Sequence, residues 1–282
     1  MIKALVDSGS TKSDWLVLNG SETILQFELA GLNPMTQSKS NLLSQIEMAK
    51  NKLQFIHPES ITFYGAGCKD IASQVLFTIL QELFPSSKIE VYSDLLAAAR
   101  ANCDGNEGIV CIMGTGSHSC LSDGHQIIHE KPGLGYLLGD EGSGNHFGRL
   151  LLRSYFYKYL SPELCQDFQN NFPQVTDNYL GQLYSSNKVS AELASFFPFI
   201  VQHITDPTII DIIKECLDAF YRHRINQYQD QNQLPVYFTG SVAFALQNQI
   251  ETYFAFKGFH RVFFNKKPLL KLAEYHYKYD RN

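Results

Sequence analysis

Two aspartates in the first hundred residues follow short apolar strands: Asp7 at the end of "IKALVD" and Asp94 after "KIEVYS". In open α/β sheets ligands gather at the carboxyl ends of strands, so both carboxylates stand where acid–base or metal chemistry is done. Asp94 opens the helical stretch Leu95 to Asn102 and has two readings, a helix N-cap or a general base for an attacking hydroxyl. Asp7 leads into "SGSTKS". That stretch reads as turn formers with Gly9 supplying a positive φ, or as a phosphate cradle. In the cradle, Gly9 admits an anion to the backbone, Ser10, Thr11 and Lys12 donate to it, and Asp7 sits beside a metal that travels with the phosphates. On this stretch alone both readings stand.

The pattern recurs. "GIVCIMGTGSHSCLSDG" is again strand, turn and strand, with Gly114, Thr115, Gly116 and Ser117 in the turn. Two such units facing each other can clamp one polyphosphate from both sides. A third glycine turn, Gly240 and Ser241 in "LPVYFTGSVA", lies between a strand and a helix whose N-terminus suits a nucleotide. In "GDEGSG", Asp140 and Glu141 read as an acidic helix start that complements the macrodipole, or as part of a ligand loop whose glycines allow close packing or backbone approach.

The elements that must position these residues follow from periodicity. Strands are expected at Ile2 to Val6, Trp15 to Val17, Thr23 to Ala30, Ile61 to Tyr64 and Ile89 to Tyr92. Helices are expected at Ser40 to Leu53, Lys69 to Leu83 and Leu95 to Asn102. "NCDGNEG", Asn102 to Gly108, is rich in turn formers and marks a domain boundary. The strand–turn–strand unit follows it, with a third strand at Gln126 to Glu130; His125 and His129 fall on one face of it. Phe147 to Asp230 reads as helical scaffold broken at Pro162, Pro173 and Pro207, and no chemistry is assigned to it.

Bulk properties narrow the function. At 282 residues and 44% hydrophobic, the chain can fill the cores of one large or two medium domains. The net charge of −5 supplies no field to gather nucleic acid or acidic membrane. Lys257 to Asn282 holds seven Lys or Arg against two acids, a density that suits a solvated helix face. No signal peptide or membrane-length apolar run is present, so a cytoplasmic protein is expected. The six cysteines form no CxxC pair and read as mostly buried thiols. There is no GxxxxGK[ST], no GxGxxG opening a first βαβ unit and no HExxH, which argues against P-loop, Rossmann and zinc-peptidase chemistry.

Taken in order, "DSGSTKSDW", "GTGS", "PGLGYLLGDEGSGNHFGR" and "TGSVA" resemble the N-acetylglucosamine kinase group of the BadF/BadG/BcrA/BcrD ATPase-like family over nearly the whole chain. GDEGSG with its flanking glycines is the most specific element. The resemblance implies an α/β fold of two similar mixed-sheet domains of the actin-like ATPase (ribonuclease H-like) type, with the nucleotide in the cleft between them. The expected domains are 1–104 and 105–267, the second with a helical insertion, and a C-terminal helix at about 268–282 packs back on the first. By the same resemblance Gly9, Ser10, Thr11 and Lys12 form the first phosphate loop, Gly114 to Ser117 the second, and Gly240 and Ser241 the adenosine-side turn. The sugar is met by Asn33, by Asp94 and by a loop containing Gly133, Gly135 and Asp140. Two departures stand out: many relatives have three consecutive glycines where Ser8 and Ser10 flank Gly9, and an aromatic residue where this chain has Leu134.

The implied activity is ATP-dependent phosphorylation of an amino sugar, N-acetylglucosamine at its 6-hydroxyl, with Asp94 as general base. Its cofactors are ATP and Mg²⁺, the metal organised by Asp7 through water because Mg²⁺ gives up its hydration reluctantly. The partner is a small sugar, with no nucleic acid or membrane, and the resemblance allows a homodimer. Two alternatives keep the ATP site. One is an ATPase activator of a reductase or dehydratase, which would share an iron–sulfur cluster through surface thiols, with Cys68 the cysteine nearest the site. The other is a sensor that binds sugar and nucleotide without turnover.

Overall fold

The computed structural model describes residues 1–266 and 268–280. The last residue of the domain expected at 105–267, and the end of the helix expected at 268–282, lie outside the described residues.

Alternating apolar residues build the opening hairpin from β1 (Ile2–Ser8) and β2 (Lys12–Asn19), which pair antiparallel with Val6 opposite Trp15 and Asp7 opposite Asp14. β3 (Glu22–Ala30) extends the pairing on the far side of β2. After α1 (Lys39–Leu53), β4 (Ser60–Gly65) runs parallel to β1. After α2 (Asp70–Leu83), β5 (Lys88–Ser93) runs parallel to β4 and leads into α3 (Asp94–Cys103). The sheet order is β3-β2-β1-β4-β5. Its register aligns Ser8 with Gly65 and Gly65 with Ser93, so the carboxyl ends of β1, β4 and β5 finish on one line. Asp7 stands one residue before that line and Asp94 one residue after it.

This sheet is covered on both faces, which explains the nearly unbroken apolar run of β1. Ala4 and Val6 join Leu42, Ile46, Leu76 and Ile79 in the cluster containing α1 and α2. On the other face Leu5 and Leu16 pack with Ala97 of α3 and with Leu269 and Leu272 of α13 (Pro268–Tyr279). Buried polar groups fix how that last helix docks. Arg100 donates to the Tyr64 hydroxyl at 2.6 Å, Tyr64 lies 2.8 Å from His276 Nε2, and His276 Nδ1 lies 2.8 Å from Asp280.

The second half repeats the plan. β6 (Gly108–Met113), β7 (Ser117–Ser122), β8 (Ile127–Glu130), β9 (Val236–Thr239) and β10 (Val262–Asn265) form a sheet in the order β10-β9-β6-β7-β8. Read from its other edge, this is the order of the first sheet with β6 in the place of β1. The sequence pattern places His125 and His129 on one face of a single strand, but His125 lies outside β8. It lies in the turn before β8, because Asp123 Oδ1 accepts the amides of His125 and Gln126 at 2.8 Å and bends the chain there.

Between β8 and β9 come α4 (Gly135–Leu138), α5 (Gly144–Phe156), α6 (Pro162–Asn171), α7 (Tyr179–Ser185), α8 (Val189–Ala194), α9 (Phe197–Gln202) and α10 (Pro207–Phe220). A π-helical turn at Tyr221–Ile225 and a 3₁₀ segment at Asn226–Gln231 continue α10. Two short helices, α11 (Ser241–Ala245) and α12 (Gln247–Phe256), join β9 to β10. Pro162 and Pro207 sit in the first turns of α6 and α10, where the missing N–H costs nothing. The core here is aromatic, with Phe147, Phe168, Phe196, Phe220, Phe238 and Phe254 fully buried.

Two compact units result. One comprises Met1–Val110, Cys120–His129 and the C-terminal helix, and the other Cys111–Ser119 with Glu130–Lys266. Among the described residues no helix is long and apolar enough to cross a membrane.

Leu272 is fully buried between the first sheet and α13. Leu272→Ala should therefore cost about 2–5 kcal/mol in urea unfolding, as a lower midpoint at unchanged slope. A loss below about 1 kcal/mol would show that α13 contributes little to this core.

Candidate active site

In the first unit the turn from β1 to β2 closes with the Gly9 amide donating to the Lys12 carbonyl at 2.9 Å. Gly9 does not take the positive φ expected of it. Two other residues hold the turn. Ser8 is fully buried; its hydroxyl accepts from the Leu32 amide at 2.8 Å and donates to the Leu32 carbonyl at 3.2 Å. Gly31 is the second: a Cβ there would lie 2.3 Å from the Gly9 carbonyl oxygen and 2.7 Å from the Ser10 carbonyl carbon. Only glycine fits. Asn33 follows, with its Nδ2 3.4 Å from the Ser10 hydroxyl and its Oδ1 accepting from the Met35 amide at 3.0 Å.

Gly9, Ser10 and Thr11 are exposed at the tip of the turn. Lys12 points elsewhere, since its ammonium lies 2.9 Å from both Asp14 and Glu28 on the strands. The expected donor set is thus reduced by one side chain, a consequence of the antiparallel register that sets Lys12 beside those carboxylates.

Asp94 is not the cap of α3. Ser93 fills that role, its hydroxyl accepting from the Leu96 amide at 3.2 Å, and Asp94 is the first helical residue. Its Oδ1 accepts from the Leu95 amide at 2.9 Å. Burial, then the negative charges of Asp94 and Asp14, push the Asp7 carboxyl up to about 7 against the opposing pull of Lys12. The end of β1 therefore carries a buried carboxyl that two neighbouring carboxylates disfavour from ionising. Among the described residues no three His, Cys, Asp or Glu side chains are grouped to hold a metal ion directly.

The second unit's turn is tied far more densely. Gly114 donates to the Gly116 carbonyl at 2.9 Å, and the carbonyls of Gly114 and Thr115 accept the first amides of α5, from Gly144 at 2.8 Å and Asn145 at 3.2 Å. The Asn145 Nδ2 lies 2.8 Å from both the Thr115 carbonyl and Asp140 Oδ2. Asp140 Oδ1 also faces the Ser117 amide at 3.5 Å, and the Ser117 hydroxyl donates to the Glu141 carbonyl at 2.6 Å. Asp140 itself holds a left-handed φ of 55°. Burial raises its pKa, while the bonds from Asn145 and Ser117 oppose the rise.

Gly240 completes the group. At φ 111° its Cα lies against Met113 and Gly114, where a Cβ would come within 2.4 Å of the Met113 carbonyl oxygen. The turn at Gly114–Ser117, the Asp140 loop and the turn at Gly240–Ser241 are thus neighbours. Gly133 and Gly135 lie in the exposed approach to Asp140; a Cβ on Gly133 would meet the His118 ring at 3.0 Å.

Glu141 is not a helix cap. The cap of α5 is Ser143, and Glu141 instead pairs with Arg224 at 3.0 Å. The GDEGSG glycines serve packing: a Cβ on Gly142 would strike Phe220, and one on Gly144 would press on Ala194. His146 accepts the Gly142 amide on Nδ1 at 3.0 Å, and burial lowers its pKa to about 4, so it stays neutral as that bond requires. Asn145, His146 and Arg224 were not read as site residues. Asn145 and His146 lie inside the quoted motif; Arg224 falls in a stretch read only as scaffold.

Paired five-stranded mixed sheets with glycine turns define the architecture shared by sugar kinases and actin-like ATPases. A candidate N-acetylglucosamine kinase from Porphyromonas gingivalis is 32% identical, with a TM-score of 0.92, over 98% of this chain and 99% of that one. The chain belongs to the family of that protein. A candidate N-acetylglucosamine kinase from Chromobacterium violaceum matches at 17% identity and a TM-score of 0.73, over 97% of this chain and 98% of that one. A ROK family glucokinase from Streptomyces griseus, in complex with glucose and AMPPNP, matches at 13% and 0.60 over the same shares. These two likenesses concern the fold alone. No protein-family model and no curated protein matches the chain.

The raised Asp7 pKa makes a stability prediction. The folded state binds this proton more tightly than the unfolded chain, so its penalty is absent below about pH 4, grows as pH rises, and is complete above about pH 7. Asp7→Asn should be more stable than the parent at pH 8, on the order of 2–4 kcal/mol, with the gap closing toward pH 4. Urea unfolding at the two pH values checks this. A pH-independent difference would refute the charge argument.

Proposed function

We propose that the chain is an ATP-dependent amino-sugar kinase that phosphorylates N-acetylglucosamine at its 6-hydroxyl, with Asp94 as general base. The observation that carries this reading is the placement of Asp94 at the end of β5. Ser93 is the N-cap of α3, and Asp94, whose Oδ1 also accepts the Leu95 amide, stands one residue beyond the aligned ends of β1, β4 and β5, where ligands gather in open α/β sheets. Kinship with the Porphyromonas gingivalis candidate kinase supports the sugar class, and the AMPPNP bound by the Streptomyces griseus glucokinase supports ATP.

In this reading the first unit supplies the base, the exposed tip Gly9–Thr11 for phosphate, and Asn33 for the sugar. The second supplies the Gly114–Ser117 turn, the Gly240–Ser241 turn and Asp140 with its glycine approach. Asp140, fixed by Asn145, accepts a hydrogen bond from a sugar hydroxyl and so aligns it. Phosphoryl transfer needs little beyond such alignment and charge stabilisation. The neighbouring carboxyls of Asp7, Asp14 and Asp94 fit a hydrated Mg²⁺, which when bound supplies positive charge to the phosphate oxygens. Asp7 is the residue that would hold its water shell. The ATPase activator needs thiols at a surface, whereas Cys68 is buried and burial pushes its thiol up to about 12.

Purified protein with Mg·ATP should release ADP in the presence of N-acetylglucosamine, and more slowly or not at all with glucosamine, N-acetylmuramic acid, glucose or no sugar. Asp94→Asn should lower kcat by roughly 10²–10⁴ while its Tm stays close to the parent's. Equal ADP release with and without sugar would abandon the kinase for an ATPase.

A further inference from the structure

The ten residues from Pro132 to Glu141 form a strap whose two ends meet a single guanidinium. Arg224 is 3% exposed. Its Nη1 donates to the Pro132 carbonyl at 3.1 Å, and its Nε donates to Glu141 Oε2 at 3.0 Å. The strap closes tightly on it, since a Cβ at Gly139 would lie 3.0 Å from Arg224 Nη2. Arg224 is itself anchored: its carbonyl accepts from the Ser119 hydroxyl at 2.6 Å, on the strand that follows the Gly114–Ser117 turn. It sits in the π-helical turn at Tyr221–Ile225, a distortion that re-aims side chains and recurs at functional sites.

Between its fixed ends the strap has little cover. Leu137 and Leu138 are 72% and 77% exposed, and Gly133, Leu134 and Gly135 are exposed as well. One midpoint tie is present, from Arg149 Nη1 to the Tyr136 carbonyl at 2.7 Å. With so few apolar contacts, the strap's course depends on these polar ties. Arg224 grips Glu141, the residue next to Asp140.

We propose that Arg224 is a positioning residue for sugar recognition, stapling both ends of the 132–141 strap so that Asp140 is presented in one orientation. This rests on the kinase reading above. Arg224 touches no substrate in this account and acts through Glu141 and Pro132. A planar fork can hold two acceptors at once, whereas an ammonium on a flexible stem cannot reproduce that geometry. The role therefore requires arginine and goes beyond a positive charge.

Arg224→Lys keeps the positive charge and loses the fork, and Glu141→Gln keeps the side chain's size and an acceptor oxygen for Arg224 but loses the opposing charge; thermal unfolding shows whether each is folded, and hydrogen exchange is read on whichever variant is. Each should raise the N-acetylglucosamine KM roughly 10–100-fold, with the ATP KM within about twofold of the parent's. Each should also speed hydrogen exchange at the amides of 133–140, with the exchange of β6 and β9 unchanged. Folded variants with the parent's sugar KM, or with unchanged strap exchange, overturn the staple. Failure of the parent protein itself to release ADP with any sugar overturns the kinase reading instead, and the exchange measurement still decides whether Arg224 holds the strap.

Discussion

The Asn145 carboxamide has no exposed surface, and its nitrogen lies within reach of the Thr115 carbonyl, the Asp140 carboxylate and the Ser190 hydroxyl, at 2.8, 2.8 and 3.2 Å. Three acceptors around one nitrogen fix the amide's orientation, because the oxygen in that place would face only lone pairs and the serine's single proton. The rest of the second unit's site is built around this group. The first amides of α5 are spent on the carbonyls of Gly114 and Thr115, so this helix N-terminus is used to hold the turn and is not left for an anion. Asp140 holds a left-handed backbone with both of its carboxylate oxygens engaged, by the Asn145 amide and the Ser117 N–H.

The first unit solves the corresponding problem differently. Its turn is held by steric fit at Gly31 and by one buried hydroxyl, Ser8, which gives and takes a hydrogen bond with Leu32. What remains at the strand ends is charge. Burial and then the charges of Asp94 and Asp14 disfavour the ionised Asp7, and the Lys12 ammonium that opposes them is shared between Asp14 and Glu28. Order is concentrated in one unit and electrostatic demand in the other.

Much of this was legible in the sequence, for reasons that are local. Strand alternation in Ile2–Val6 and the repeated glycine turns indicate two similar strand–turn–strand units, the resemblance supplies the paired mixed sheets, and Asp7 and Asp94 are expected at strand ends, where the structure places them. The sequence leaves Asp94 open between a helix cap and a general base because "SD" offers two good capping residues in a row, and only the structure shows that Ser93 is the cap and that the helix begins at Asp94. The necessity of Gly31 comes from Gly9 and Ser10, about twenty residues earlier in the chain, and no local pattern carries it. Arg224 was invisible for the same reason at longer range. Its partner Glu141 is 83 residues away, and nothing in "YRHRI" distinguishes it from an ordinary basic helix face.

The Glu141–Arg224 pair also shows why stability alone is a poor guide to such sites. Taking both charges out of water is costly, and their attraction with good hydrogen bonds does little more than offset that cost. Well-packed apolar residues of similar volume could hold the same space at least as firmly. They could not grip a carbonyl at one end of a strap and a carboxylate at the other, because dispersion contacts have no direction while a guanidinium's donors do. The pair is therefore explained by what it fixes. It converts the position of a buried turn, itself bound to Ser119 beside the glycine turn, into the position of an otherwise exposed loop next to Asp140.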